Sequence, residues 1–229
     1  MRTCSHDSGE NRMMNFRRTI QEIVGRRYRY ALFYNFPGGL RFELSKGNSA
    51  LDQALSALRR ATAVCNDIFA GEEKILVHLE SYAPQTRFSL RTMLRELKIA
   101  GITVPTVREF WIHEQEQADV ADDDKEVALC CAFEVPAAKL QNLLWCAITT
   151  DLGPIYPKPR CRIYLLHPNK GIVVHPYDDR GMDVISLRPS DLSGLYELHK
   201  DLLLDYDIEA MRQMFASGGS PKIALQQKR

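Results

Sequence analysis

Three strand-like runs joined by two short turns restrict the possible folds of this chain more than any other feature. The runs are CRIYLLH, IVVHPY and MDVISL, and the turns between them are Pro-Asn-Lys-Gly and Asp-Asp-Arg-Gly. Turns this short join only antiparallel neighbours, because parallel strands need a long crossover connection. We therefore predict a three-strand meander, which excludes a fold built entirely from parallel βαβ units.

The rest of the chain mixes strands and helices without a regular alternation. Apolar or alternating runs predict strands at KILVHLES, VREFWIHE and EVALCCAFEV, and YRYALFYNF-Pro-Gly-Gly-LRFELS is typical of a β-hairpin. Apolar residues at helical spacing predict helices at 13–24, from a cap at Asn48 or Ser49 to Phe69, at 89–100, at 137–149, from an Asp191 cap to Leu202, and at 207–215. The predicted fold class is α+β, with a mixed or largely antiparallel sheet of hairpins and the meander packed with helices.

Length and composition are those of a globular domain. The chain has 229 residues, of which 45% are hydrophobic and 26% charged. We expect a disordered N-terminus over 1–12, a single α+β domain over 13–216 and a flexible tail over 217–229. No apolar run approaches the roughly 18 residues that span a bilayer, and the N-terminus lacks the apolar core of a signal peptide.

The six cysteines favour a reducing compartment. Five of them lie inside apolar runs, where a thiol behaves as a small hydrophobic group, and no Cys-x-x-Cys pair is present. We therefore expect six free thiols in a cytoplasmic protein that has no membrane partner.

Charge is unevenly distributed, although the net charge is only +1. Met1–Tyr30 contains seven arginines against three acids, and Glu114–Glu126 contains seven acids against Lys125, a local charge of −6. The seven acids are Glu114, Glu116, Asp119, Asp122, Asp123, Asp124 and Glu126. A solvated loop explains such a segment, but it would also steer and hold a basic partner. The basic segment is typical either of the solvated face of a helix or of a contact with nucleic-acid phosphates.

The strongest local motif comprises Tyr177, Asp178, Asp179, Arg180, Gly181 and Asp183. Its three carboxylates suit a divalent cation or acid–base chemistry. They also suit a type I turn, in which the first Asp accepts a backbone amide and the Gly adopts the left-handed conformation. Arg180 would neutralise the neighbouring acids. We favour the structural turn, with a binding site and a catalytic site as alternatives.

No other motif predicts a metal ion, a nucleotide or a nucleophile. His167 and His175 lie on neighbouring strands of one hairpin, but there is no second pair with ligand spacing and no His-Glu-x-x-His. A Gly-x-Ser-x-Gly elbow is absent, Cys130 and Cys131 lie in an apolar strand, and Gly38-Gly39 leads into a strand. We predict no cofactor, no metal ion and no catalytic residue.

Several segments resemble a bacterial family, the domain of unknown function 3885. They are Leu32–Asn35, Leu40–Leu44, Arg59–Ala61, Ile68-Phe69, Asp151–Pro154, Tyr177–Ile185, Leu195-Tyr196 and Leu204–Asp207. The resemblance covers about 28–215, and Tyr-Asp-Asp-Arg-Gly-x-Asp is its most specific part. It implies no established activity, but such proteins occur near polymorphic toxin genes, which suggests an immunity role. The acidic segment is not part of the family's pattern.

We therefore expect an immunity protein that binds a cognate secreted toxin domain and occludes its active site, with the acidic segment as its binding surface. Two alternatives remain open. One is an enzyme that uses the Tyr177–Asp183 motif. The other is a nucleic-acid-binding regulator that acts through its basic N-terminal helix.

Overall fold

The computed structural model describes residues 15–25, 31–81, 87–114, 127–153 and 155–216. The segments expected to be disordered or flexible, 1–12 and 217–229, lie outside the described residues, and so does 115–126 of the acidic segment. Seven described strands form one antiparallel sheet with the order β1-β7-β6-β5-β2-β4-β3. They are β1 Leu40–Glu43, β2 Lys74–Ser81, β3 Arg108–Glu114, β4 Val127–Pro136, β5 Arg162–His167, β6 Ile172–Pro176 and β7 Gly181–Ser186.

The described residues also form seven α-helices. They are α1 Phe16–Val24, α2 Leu32–Asn35, α3 Ala50–Ile68, α4 Arg87–Ile99, α5 Leu140–Ile148, α6 Ser193–Leu198 and α7 Ile208–Ala216. The α+β fold class is therefore confirmed. None of the described helices is both long enough and apolar enough to cross a membrane.

The predicted meander is confirmed, and the structure gives its register. β5 pairs with β6, and β6 pairs with β7, so that Leu165 lies opposite Val174 and His175 lies opposite Asp183. The helix predicted after Ser49 is also present. The Ser49 hydroxyl accepts a hydrogen bond from the Asp52 amide at 3.1 Å, which satisfies one of the free amides at the start of α3.

The predicted hairpin around Pro37-Gly38-Gly39 is wrong. Leu32–Asn35 form one helical turn instead of a strand, and β1 pairs with β7, which lies far away in the sequence. Long-range contacts explain the difference. The Phe33 amide donates to Asp183 at 3.1 Å, and the Tyr34 hydroxyl lies 3.0 Å from an oxygen of Asp207. These bonds outweigh the local strand preference of an aromatic run.

The helix expected from Asp191 to Leu202 is also different. α6 ends at Leu198, and a separate 3-10 turn covers Lys200–Leu202. Asp191 does not cap α6, because its carboxylate accepts a hydrogen bond from Arg188 Nε at 3.0 Å.

Helices cover both faces of the sheet, and side chains alternate between the faces along each strand. The larger core lies on the side of α3 and α5, hereafter the α3 face, and includes Phe42, Val77 and Phe133. The smaller core lies on the side of α1 and α2, hereafter the α1 face. The α1 face carries a row of polar side chains from strand to strand, and the candidate site is built on it.

Candidate functional site

Asp178–Arg180 form the turn between β6 and β7, and their own side chains stabilise it. Asp178 Oδ1 accepts the Arg180 amide at 2.8 Å, as predicted for the first residue of such a turn. The other oxygen of Asp178 binds the Arg180 guanidinium through Nε and Nη2. Arg180 Nη2 also lies 3.8 Å from Asp151, so the arginine offsets the local negative charge as expected.

The expected role of Gly181 is wrong. Gly181 is the first residue of β7 and does not adopt the left-handed conformation. A Cβ at this position would instead overlap the hydroxyl and Cζ of Tyr177 and lie 3.1 Å from the Phe42 carbonyl oxygen. The glycine therefore makes room for the Tyr177 ring, which folds back onto the α1 face.

Asp183, the last acid of the motif, belongs to a buried ion-pair network. Arg41, its cross-strand partner in β1, donates Nε to one carboxylate oxygen at 2.8 Å and Nη2 to the other at 3.2 Å. Arg41 Nη1 donates a hydrogen bond to the Asp207 carboxylate at 3.2 Å, and the Tyr34 hydroxyl donates a second one to the same carboxylate. Burial disfavours the charged guanidinium, but the Asp183 carboxylate more than offsets this, so the pKa of Arg41 lies above its ordinary value.

A row of stacked rings crosses the α1 face from β3 to β6. His78 stacks on Trp111 with ring centroids 5.0 Å apart and on Tyr164 at 5.6 Å. Tyr164 stacks on His175 at 4.3 Å, and His175 meets the edge of Tyr177 at 6.3 Å. The Arg41 guanidinium lies over the Tyr177 ring at 5.7 Å and joins this row to the ion-pair network.

Two cavities meet at His175 and Tyr177. The first, of about 260 Å³, is lined by these two residues with Ala31, Tyr34 and Arg41. The second, of about 310 Å³, extends towards β5 and α5 and includes polar groups from Glu80, Thr150, Arg160 and Arg162. Ala31 and Arg160 both have positive φ although they are not glycines, so the backbone is strained on the wall of each cavity.

His175 and Tyr177, which line both cavities, are uncharged near neutral pH. Burial, with a smaller effect of the Arg162 charge, lowers the pKa of His175 to about 3. Burial, with the neighbouring Asp183 carboxylate, raises the pKa of Tyr177. His175 is therefore neutral and Tyr177 protonated, and both can only donate or accept hydrogen bonds. General acid–base catalysts instead have pKa values near the working pH.

The two histidines considered from sequence do not form a pair. His167 lies on the α3 face and stacks on Phe69, whereas His175 lies on the α1 face. The structure brings together a different group. His78 and Glu80 of β2 and Cys130 of β4 are buried on the α1 face, and their donor atoms lie within 4.8 Å of one another. The sequence feature that could have indicated this group is the His-x-Glu spacing of His78 and Glu80 inside an apolar strand.

Five cysteines are free thiols, as predicted. Cys65, Cys130, Cys131, Cys146 and Cys161 are all buried, and Cys4 lies outside the described residues. Burial raises the pKa of each of these five thiols, so they remain protonated and unreactive near neutral pH.

The described part of the basic N-terminal segment fits the solvated face of a helix. α1 buries Phe16, Ile20, Ile23 and Val24 against the sheet, whereas Arg18 is exposed and pairs with Glu22 at 2.8 Å. Arg26, Arg27 and Arg29 lie outside the described residues.

The acidic segment connects the paired ends of β3 and β4, where Glu114 lies opposite Val127. Its other acids, Glu116, Asp119, Asp122, Asp123, Asp124 and Glu126, lie outside the described residues. β3 is an edge strand, because among the described strands it pairs with β4 alone. Phe110 and Ile112 of β3 are 42% and 57% exposed, which leaves an apolar strip beside the acidic segment.

Comparison with known proteins agrees with the resemblance found in the sequence. The family model described as a domain of unknown function, DUF3885, matches residues 16–207. Neither the curated proteins nor the solved structures give a significant match. The matched range contains the seven described strands, the turn at Asp178–Gly181 and the Arg41–Asp183 pair. The chain therefore belongs to the DUF3885 family.

Proposed function

We propose that this protein binds a basic protein partner through β3 and the acidic segment, and that it acts as an immunity protein. In this role it neutralises a cognate secreted toxin domain by occluding the toxin's active site. The observation that carries the proposal is the juxtaposition of an exposed apolar edge strand with a segment of net charge −6, Glu114–Glu126.

The edge strand supplies two kinds of contact. Its outer backbone groups are not used in a ladder among the described strands, so an extended segment of a partner could add to the sheet there. Phe110 and Ile112 lie on the same side of β3, opposite Cys131 and Leu129 of β4, and both are exposed. An exposed apolar strip beside polar residues is typical of a protein-binding surface.

Charge determines the kind of partner that this surface favours. A segment of net charge −6 attracts a basic surface and repels acidic ones, which raises the association rate with the first class only. Toxins that cleave nucleic acids or bind nucleotides carry such basic surfaces around their active sites, because their substrates are phosphates. An acidic inhibitor therefore occupies the surface that the substrate would use.

His175 and the Tyr177–Asp183 motif support a binding protein more than an enzyme. Asp178 and Asp183, two of the three carboxylates in the motif, are each engaged by an arginine. His175 and Tyr177 have pKa values displaced from neutrality in the direction that keeps them uncharged. These groups hold the turn and the sheet edge in place rather than exchange protons.

The test first identifies a secreted toxin domain encoded beside the gene for this protein, and the absence of any such gene would contradict the immunity function. We expect the two purified proteins to form a complex and the toxin's activity to be lost in that complex. Ile112→Lys should weaken binding at least tenfold, because it places a positive charge on the apolar strip beside a basic partner. Leu198→Lys is the matched control, since Leu198 is similarly exposed at 66% but lies on α6.

Two results would contradict the proposal. A neighbouring toxin that remains fully active and unbound in the presence of this protein would exclude the immunity function. Equal binding by the wild type and Ile112→Lys, with Leu198→Lys unchanged, would leave an immunity function but move the interface away from β3.

A further inference from the structure

His78, Glu80 and Cys130 form a group of potential metal ligands on the α1 face, whereas Phe110 and Ile112 of the proposed docking surface lie on the other side of β3. His78 and Glu80 are two residues apart in β2 and therefore point to the same face of the sheet. Cys130 lies directly opposite Glu80 in β4. All three side chains are buried, and one donor atom from each lies within 4.8 Å of the other two.

We propose that these three side chains bind a Zn²⁺ ion, with a fourth position left for water or another ligand. The donor set contains one imidazole nitrogen, one carboxylate oxygen and one sulfur, which is the mixture that Zn²⁺ accepts. Ca²⁺ and Mg²⁺ prefer oxygen ligands only. Three protein ligands with one open position is also the usual composition of a catalytic zinc site.

The geometry requires only a small contraction of the group. Zinc bonds of about 2.0–2.3 Å in a tetrahedral arrangement place the ligand atoms roughly 3.4–3.6 Å apart. The donor atoms here are at most 4.8 Å apart. The ladder between β2 and β4 places Cys130 directly opposite Glu80, and a shift of the donor atoms by about 1 Å would bring them to zinc-binding distance.

Two aromatic neighbours would orient the ligands. The Tyr164 hydroxyl donates to Glu80 Oε2 at 3.2 Å and so holds the carboxylate in position. The His78 ring is stacked between Trp111 and Tyr164, which restricts its rotation. Hydrogen bonds and packing of this kind around the ligands typically raise metal affinity by a factor of about 10–100.

Cys130 must lose its proton when zinc binds. Burial raises the pKa of this thiol, and the nearby Glu80 carboxylate raises it further. The metal-free protein therefore contains the protonated thiol at neutral pH. Zinc binding forms the Zn–S bond, breaks the S–H bond of Cys130 and releases that proton to solvent.

The chain contains a matched control for this site. Cys131 is adjacent to Cys130 and equally buried, but it belongs to the core on the α3 face. Replacing either cysteine with alanine removes one buried sulfur, so the two variants should lose similar amounts of stability. Only Cys130→Ala removes a zinc ligand.

The experiment loads the full chain with Zn²⁺, removes loosely bound metal with a weak chelator and measures zinc per chain by elemental analysis. We expect one zinc per chain in the wild type and in Cys131→Ala. Cys130→Ala and His78→Ala should retain less than a tenth of this amount. Loading with Co²⁺ should give a sulfur-to-cobalt charge-transfer band in the wild type that is absent from Cys130→Ala.

Three outcomes would overturn the zinc site. One is a wild-type protein that retains no zinc, and another is zinc retention that Cys130→Ala leaves unchanged. The third is a wild-type cobalt complex that shows no sulfur band, together with a loss of cobalt binding in Asp122→Asn/Asp123→Asn/Asp124→Asn. This result would place the metal in the acidic segment. If Cys130→Ala does not fold, Glu80→Gln and the wild-type cobalt spectrum still decide the question. Toxin binding is measured separately and does not depend on this result.

Discussion

Arg41 and Asp183 are direct cross-strand partners that share two hydrogen bonds, from Nε at 2.8 Å and from Nη2 at 3.2 Å. They join β1 to β7 on the α1 face. Asp183 also accepts the Phe33 amide and so holds the first residues of α2 against the sheet. This one carboxylate of β7 therefore binds both α2 and β1, through residues that lie 150 and 142 positions earlier in the chain.

Removing the Asp183 charge should strongly destabilise the fold. Asp183→Asn leaves the Arg41 guanidinium buried without its main counterion, and breaking a buried pair in this way costs about 3–5 kcal/mol. Urea unfolding followed by circular dichroism would measure the change in the free energy of unfolding. Glu22→Gln is the control, because the Arg18–Glu22 pair is exposed and should contribute less than about 1 kcal/mol. If the two variants lower the free energy of unfolding equally, the buried Arg41–Asp183 pair stabilises the fold no more than an exposed pair does.

Gly181 should resist substitution because of the Tyr177 ring. Gly181→Ala should lower the free energy of unfolding by about 1–3 kcal/mol, since the added Cβ overlaps that ring. Gly194→Ala in α6 meets no atom within 4 Å and should be neutral or slightly stabilising.

A double variant tests the cause of the Gly181 effect. In the Tyr177→Ala background, Gly181→Ala should cost much less than in the wild type, because the overlapping ring is gone. An undiminished cost in that background would show that the backbone at Gly181, and not Tyr177, requires a glycine.

The buried neutral His175 should make stability depend on pH. Its pKa is lowered to about 3 in the folded protein, against about 6.5 in the unfolded chain. Between these values the unfolded chain binds a proton that the folded protein does not, so stability should fall as pH falls from about 6.5 towards 3. The contribution approaches about 1.4 kcal/mol per pH unit within this window.

His175→Phe isolates this effect, because it keeps an aromatic ring beside Tyr164 but cannot bind a proton. Between about pH 6 and 4, the free energy of unfolding of the variant should fall less steeply than that of the wild type. The difference between the two slopes should correspond to the uptake of close to one proton per molecule on unfolding. Carboxylates titrate in both proteins and cancel in the comparison. Identical slopes would mean that His175 binds a proton in the folded state.

The acidic segment should mainly affect the rate of association with the toxin. Asp122→Asn/Asp123→Asn/Asp124→Asn removes three charges and should slow association by about tenfold at low salt. The difference from the wild type should shrink as salt rises, because charges are screened over about 8–10 Å at physiological ionic strength. Stopped-flow or surface-plasmon measurements would report both rates.

The control removes the same amount of charge from elsewhere on the surface. Glu197→Gln/Asp201→Asn/Glu209→Gln also removes three negative charges, from exposed residues in and around α6 and α7. This variant should associate at nearly the wild-type rate. If both triple variants slow association equally, the overall charge and not Glu114–Glu126 attracts the partner.

Local patterns in the sequence were sufficient for the regular elements. The meander follows from alternation and turn residues within 161–187, and α3 follows from its Ser49 cap and apolar spacing. In each case the deciding interactions join residues that are close in the chain. Asp178 belongs to the same class, since its bond to the Arg180 amide is entirely local.

Contacts between distant residues decided what the sequence could not predict. α2 replaces a strand because Phe33 and Tyr34 bind Asp183 and Asp207, which lie 150 and 173 residues further along the chain. The Gly181 prediction failed for a different, short-range reason: the glycine is required by the ring of Tyr177, four residues earlier, which folds back over it, and not by its own φ.

The amino-acid sequence by itself determined the fold class, the meander, most helix positions, the buried cysteines and the concentration of negative charge at Glu114–Glu126. The tertiary structure alone decided which polar residues meet. Strand order places Arg41 beside Asp183 and Cys130 opposite Glu80, although these pairs are separated by 142 and 50 positions in the chain. The physical reason is that periodicity and turn chemistry act over a few residues, whereas strand pairing and burial depend on how the whole sheet assembles.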